Sequence, residues 1–238
     1  MLVDAHCHLY GFEDDELDRF KDVVIASVGE DLESSMENVK LSKKYRWVKP
    51  FAGLHPWNIE DYSEDEFQGI ERLLRSREAV GIGEVGLDKR FGKHWEMQVE
   101  VFERFCSLAA ELNLPLNIHA LDAWREVFQI LQKYSVRHAV FHWYTGPQDL
   151  LKDIEGAGYY ISINPSVKMQ PKHRAIVERA ELDMILTESD GPYNYKGLRL
   201  NPLMINELVA EIAEIKGASY GEVSRIVSKN FERLLQNP

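Results

Sequence analysis

Eight short apolar runs, each followed by a longer stretch of mixed polarity, recur along the whole chain, and this alternation constrains the fold more than any other feature. The runs read as strands near residues 2–9, 23–28, 48–55, 79–87, 114–119, 138–143, 159–164 and 184–190. Their starts lie 21 to 35 residues apart, room for a helix and a return loop, which a parallel crossover requires. Helical periodicity fills most gaps, over 31–45, 64–76, 95–112, 122–133 and 147–156, with two final helices over 202–216 and 219–236. Ser63, with Glu66 three residues on, gives a capping-box pattern at the start of 64–76. Eight strands alternating with helices in 238 residues point to an α/β fold, a (β/α)8 TIM barrel, with a doubly wound sheet as the rival. No Pro/Gly/Ser-rich linker divides the chain, so residues 1–238 are expected to form a single domain.

Composition narrows the function classes. Hydrophobic residues at 45% and charged residues at 28% are the mix of a globular protein and exclude disordered or collagen-like chains. The longest aliphatic stretches, such as 23–26, are too short to span a bilayer, so no membrane partner is expected. Asp4 and His6 come almost at once, so no secretory leader is expected. Two cysteines, Cys7 and Cys106, give neither a disulfide framework nor a CxxC metal pair, so a reduced, cytoplasmic setting is expected. A net charge of −11 argues against a protein that coats nucleic acid, since such binding works by neutralising phosphates. It leaves room for an enzyme that handles one phosphodiester at a time, with bound divalent cations supplying local positive charge.

Polar residues concentrate at the ends of the strands. Alternation puts Asp4, His6 and His8 on one face of the first strand, with Val3, Ala5, Cys7 and Leu9 on the other. An isolated H-x-H reads more readily as a hydrogen-bonded structural pair than as a metal site, but three polar groups on one inward face each need a partner. Glu84 and Asp88 share a face of the fourth strand, the fifth ends in His119, the sixth in His142, and the eighth in Glu188 and Asp190. The third runs into Gly53-Leu54-His55-Pro56. In a barrel these carboxyl ends converge on one mouth, where active sites are built. Each residue alone has a bland reading, a core histidine or a capping carboxylate. Together the imidazoles and carboxylates are poorly explained as core or solvated surface. Uncompensated, Glu84 and Asp190 would repel, and divalent cations resolve that conflict.

Gly81-Ile82-Gly83-Glu84-Val85-Gly86 matches G-x-G-x-x-G literally. A dinucleotide fingerprint must open a helix at once, whereas here a carboxylate occupies the turn and residues 87–92 intervene, so no nucleotide cofactor is expected. The glycines are read instead as letting neighbouring groups approach Glu84 closely.

Several stretches, in this order and spacing, cover essentially the whole chain: Asp4-Ala5-His6-Cys7-His8, Gly53-Leu54-His55-Pro56, Gly83-Glu84-Val85-Gly86-Leu87-Asp88, Leu114-Pro115-Leu116-Asn117-Ile118-His119, His142-Trp143-Tyr144-Thr145-Gly146 and Thr187-Glu188-Ser189-Asp190-Gly191-Pro192. The set resembles the TatD family of metal-dependent DNases, in the amidohydrolase-like superfamily of barrels. The resemblance implies a dinuclear site in which His6, His8 and Asp190 hold one ion, His119 and His142 the other, and Glu84 bridges. It implies metal-dependent hydrolysis of DNA, often as a 3′–5′ exonuclease preferring single strands, with His55 near the phosphate. The chain departs from the family pattern at Ala120, at Lys89-Arg90, at Trp143-Tyr144-Thr145-Gly146 and at Arg199-Leu200-Asn201-Pro202.

The chemistry implied is attack by a metal-bound hydroxide on phosphorus, with Asp190 and Glu84 as the catalytic carboxylates. Asp4 and Glu188 are expected to support the ligands from behind. Lys89 and Arg90 are the expected substrate-binding cations, and Lys93, His94 and Arg199 fall in neighbouring loops. Imidazole-rich ligation favours Zn²⁺ or Mn²⁺, and the resemblance also allows Mg²⁺. Two rivals accompany this reading. One is an amide, ester or lactone hydrolase on the same barrel, where a modified lysine commonly bridges the metals and this chain has Glu84. The other is a non-catalytic barrel, which would be marked by a missing ligand.

Overall fold

The first strand, β1 (Leu2–Cys7), buries both faces, Val3, Ala5 and Cys7 on one and Asp4 and His6 on the other. Only a strand covered on both sides does this, and the computed structural model, which describes residues 1–235, shows what covers it. Seven further strands follow in chain order: β2 (Val23–Ser27), β3 (Val48–Ala52), β4 (Gly81–Gly86), β5 (Leu116–His119), β6 (Ala139–Phe141), β7 (Tyr160–Ile163) and β8 (Ile185–Thr187). Each pairs in parallel with the next, giving one sheet of order β1 to β8. The seam between β8 and β1 is closed by Thr187 Oγ1 donating to the Val3 carbonyl (2.5 Å), Asp190 N–H to the His6 carbonyl (2.9 Å) and His8 N–H to the Gly191 carbonyl (2.8 Å). The segments that carry His6, His8 and Asp190 therefore also close the barrel. The fold is the expected (β/α)8 TIM barrel.

Helices α2 (Leu32–Lys44), α3 (Glu64–Arg75), α4 (Trp95–Leu112), α5 (Trp124–Lys133), α6 (Leu151–Gly156), α8 (Ile205–Lys216) and α9 (Tyr220–Leu235) stand close to the expected positions. The last expected helical position, 236, lies outside the described residues. Two pieces were not expected from sequence: α1 (Asp14–Leu17), and α7 (Pro171–Arg179), a polar segment whose only strong signal is proline at its first turn. A short hairpin, β9 (Asn194–Tyr195) and β10 (Leu198–Arg199), was also unforeseen. Ser63 caps α3 by accepting from Glu66 N–H (3.2 Å), but the Glu66 carboxylate accepts from Leu32 N–H (3.4 Å), so the expected box closes on one side only and its second half ties α3 to the start of α2.

The strands are shorter than the apolar runs. The run 184–190 yields only Ile185–Thr187, because Glu188 onward leaves the ladder and Asp190 takes a positive φ of 57°. Of the candidate ligands, His6, Glu84 and His119 stay within their strands, while His8, His142 and Asp190 lie just past theirs. Close approach between β4 and β5 depends on glycine: a Cβ on Gly86 would lie 1.9 Å from the His119 carbonyl oxygen. Among the described residues no helix is long and apolar enough to cross a membrane.

Candidate metal centre

Glu84 stands at the centre of the barrel mouth, 2% exposed, with its two carboxylate oxygens facing different histidines. Oε2 lies 3.3 Å from His6 Nε2 and 3.5 Å from His8 Nε2. Oε1 lies 3.0 Å from His119 Nδ1, 3.3 Å from His142 Nε2 and 3.4 Å from His55 Nε2. Asp190 Oδ1 closes the first group at 3.5 Å from both His6 and His8. The His142 ring stacks on His6 with centroids 4.0 Å apart.

The imidazoles are aimed by partners behind them. His6 Nδ1 lies 2.7 Å from Asn117 Oδ1, while Asn117 Nδ2 donates to the Ala5 carbonyl (2.7 Å). The amide oxygen must accept, so Nδ1 carries a proton and Nε2 is the nitrogen that faces the cluster. His119 Nε2 meets Asp88 Oδ2 at 2.9 Å, and that oxygen also accepts from Trp57 Nε1 (2.7 Å). His142 Nδ1 lies 3.5 Å from Glu188 Oε2. Glu188, fully buried, accepts from Trp143 N–H (2.8 Å) and from Ser162 Oγ. Asp4 touches none of the imidazole nitrogens. Its Oδ1 accepts from Ser189 N–H (2.8 Å) and His6 N–H (3.3 Å), which ties the end of β1 to the segment after β8.

His55 differs from the others. Its Nδ1 accepts from Trp57 N–H (3.1 Å), and burial lowers its pKa despite the neighbouring Glu84. A neutral imidazole that accepts at Nδ1 carries its proton on Nε2, so His55 presents a donor to the cluster.

The electrostatics are those of a cation site. Burial disfavours charge on His6, but Glu84 beside it, with Asp190 and Glu188, lifts its pKa to about 10. Burial is likewise outweighed at His119, where Asp88 and Glu84 raise the pKa to about 9. Burial pushes Glu84 up, yet His55, His6, His142 and His119 hold it well below the usual carboxylate range. The carboxylates thus hold positive charge among themselves. Donor spacings near 3.3 Å also fit metal binding, since two ligands about 2.1 Å from one tetrahedral ion lie about 3.4 Å apart. Donor atoms mutually within 4.8 Å form the groups His6–Glu84–His142, His6–His8–Asp190, His55–Glu84–His119 and His8–Glu30–Glu84. His119 and His142 both face Glu84 Oε1 but fall in separate groups, with ring centroids 5.7 Å apart.

A profile of the family described as TatD related DNase matches residues 3–236. The chain belongs to the TatD family. An uncharacterized metal-dependent hydrolase of Methanocaldococcus jannaschii is 33% identical, over 96% of this chain and 94% of that one. Deoxyribonuclease TATDN3 of Homo sapiens is 31% identical, over 98% of this chain and 94% of that one. A crystal structure of a TatD homologue from Escherichia coli K12 superposes with a TM-score of 0.89, covering 100% of this chain and 98% of that one; at 22% identity the likeness is one of fold. As a TatD-family chain the protein is a metal-dependent hydrolase, and the cluster around Glu84 is compatible with divalent cations.

Beside this TatD-type cluster lies a cavity of about 670 Å³, lined by His8, His55, Glu84, His119, His142 and Asp190 among others. Of the two expected substrate-binding cations, Arg90 lines it while paired with Asp122 (2.6 Å). Lys89 is turned to Glu126 and is not among the lining residues. Lys93 and His94 face Glu60, and Arg199 pairs with Glu16 (2.7 Å). Sequence reasoning missed Tyr10, whose hydroxyl donates to Glu30, and Glu30 itself. Glu30 follows β2 by three residues, so the rule that polar residues gather after strand ends could have found it. It also missed Asn117 and Trp57 as partners of the ligands, and placed Asp88 on the Glu84 face without a role. Those roles rest on contacts between distant segments and leave no local signal.

Proposed function

We propose that the protein is a deoxyribonuclease that trims single-stranded DNA from the 3′ end, with two divalent ions flanking Glu84. The observation that carries the reading is the division of one buried carboxylate between two sets of imidazoles. His6, His8 and Asp190 would hold an ion on the Oε2 side, and His119 and His142 would hold one on the Oε1 side. Imidazole-rich ligation favours Zn²⁺ or Mn²⁺ over Mg²⁺. When bound, such ions acidify a water and neutralise charge on a phosphodiester. Asp190, at the edge of that cluster, would be placed to orient such a water and to accept a proton from it. His55 Nε2–H donates to a non-bridging phosphate oxygen, and Arg90 stands at the rim for a neighbouring phosphate. Asp88 holds His119 in its rotamer, and Glu188 faces His142 Nδ1 with its charge. The human relative named a deoxyribonuclease supports DNA as substrate, and the family match over 3–236 supports residues 1–238 acting as one hydrolase domain.

Chelation tests the reading. Protein dialysed against a chelator is expected to lose hydrolysis of a labelled single-stranded DNA, and Zn²⁺ or Mn²⁺ to restore it. A linear strand is expected to be degraded faster than a covalently closed circle. Undiminished turnover in stripped protein contradicts the metal mechanism, equal cutting of circle and linear strand contradicts exonuclease action, and turnover confined to amide or lactone substrates contradicts the phosphodiester assignment.

A further inference from the structure

Two ligand-bearing strand ends each lead directly into an aromatic side chain. Trp143 follows His142, and Tyr193 stands three residues after Asp190 with its N–H on the Asp190 carbonyl (3.1 Å). Tyr195 comes next on the β9–β10 hairpin, which is tied back by Leu200 N–H donating to the Tyr193 carbonyl (2.9 Å). The Trp143 indole packs edge-to-face with Tyr193, centroids 6.0 Å apart, and with Tyr195, 5.3 Å apart. It also meets His142 edge-on at 6.4 Å. All three aromatic rings line the cavity beside Glu84, and Tyr193 is half exposed.

Trp143 takes a φ of 41°, a left-handed conformation that bulky residues rarely adopt. Its N–H is held there by the buried carboxylate of Glu188. A residue kept in a costly conformation by a buried charge marks a place where side-chain direction matters. Here the result is an indole standing over the cavity next to a candidate metal ligand. Simple apolar packing does not require this, because the ring is left partly open.

We infer that Trp143, Tyr193 and Tyr195 form a stacking platform for the nucleobase of the nucleotide whose phosphate sits at Glu84. This rests on the phosphodiesterase reading and names the part of the substrate that the cluster itself does not touch. A platform of ring faces accepts any base, because every base has a π-face, and favours the larger purines. It offers nothing to a sugar phosphate that lacks a base. Substrate choice by this site is therefore by the presence of a base rather than its sequence.

The test is calorimetric titration of the metal-loaded protein with dAMP, dTMP and deoxyribose 5-phosphate. The parent is expected to bind dAMP roughly 10-fold or more tightly than the base-free sugar phosphate, with dTMP between them. Trp143→Leu keeps apolar bulk without a π-face and is expected to bring the ratio close to one, whereas Trp143→Phe keeps most of it. Should Trp143→Leu fail to fold, judged by circular dichroism, Tyr193→Leu at the half-exposed position is expected to reduce the ratio in the same direction. A parent that binds none of the three ligands, a parent ratio near one, or a folded leucine variant that keeps the parent ratio overturns the platform. Hydrolysis of single-stranded DNA is measured on the same preparations. A parent that cuts DNA with a ratio near one loses the platform alone. A parent that prefers dAMP yet cuts no DNA loses the nuclease reading alone.

Discussion

Glu84→Gln is expected to lower kcat by ~10²-fold or more and to cost the protein at least one bound ion. The carboxylate offers one oxygen to His6 and His8 and the other to His119, His142 and His55. An amide of the same shape keeps one acceptor and turns the other into a donor, so one side of the site loses its shared ligand. It also removes the negative charge that would offset repulsion between the two proposed cations. A water that such ions would acidify would lose acidity and position together. Packing volume hardly changes, so the barrel is expected to melt within a few degrees of the parent. Metal content, circular dichroism and nuclease rate on the same sample check this. A well-folded variant with two ions and a rate within a few-fold of the parent excludes a bridging role.

Glu188 separates structural support from metal support, because two substitutions there remove different things. Glu188→Ala leaves Trp143 N–H and Ser162 Oγ without their acceptor in a fully buried place. Each fully orphaned group costs about 1–3 kcal/mol, and Ser162 Oγ keeps a long bond to the Phe141 carbonyl (3.5 Å), so a loss of about 2–4 kcal/mol is expected. For a domain of this size that is a Tm lowered by roughly 5–15 °C. Glu188→Gln keeps an acceptor for Trp143 N–H and turns an amide donor toward Ser162 Oγ, whose hydroxyl oxygen accepts it, but withdraws the charge that faces His142 Nδ1 at 3.5 Å. Its Tm is expected to stay near that of the parent, while metal affinity falls by roughly 10–100-fold. Thermal melts in chelator together with metal titrations decide the matter. Equal melting of the alanine variant and the parent contradicts the buried network, and undiminished metal affinity in the glutamine variant contradicts the support of His142.

The fold was legible because each β/α unit carries its own local signal. The run Val23–Ser27 and the periodic stretch Leu32–Lys44 stand out without reference to the rest of the chain. The candidate ligands were legible for a related reason: parity puts Asp4 and His6 on one face, and a polar residue closing an apolar strand needs an explanation. What stayed hidden is the set of cross-chain partners. Asn117 sits inside an apolar run, and its hold on His6 spans 111 residues of sequence. Trp57 reaches Asp88 from the turn after His55, which no spacing rule connects to β4. The helix α7 was missed because its packing onto the barrel, rather than a strong apolar stripe, makes it a helix. Charge was also a poor guide to substrate contact. Lys89 and Arg90 looked free in sequence, and both find carboxylates, Glu126 and Asp122, on the neighbouring loop and helix.

The central claim is that one carboxylate joins two cations at the barrel mouth, and anomalous diffraction from crystals of the Mn²⁺- or Zn²⁺-loaded protein tests it most directly. Two peaks are expected, roughly 3.5–4 Å apart, with one oxygen of Glu84 on each. His6, His8 and Asp190 are expected around one peak, and His119 and His142 beside the other. A single peak at full occupancy, or two peaks of which Glu84 touches fewer than both, contradicts the account.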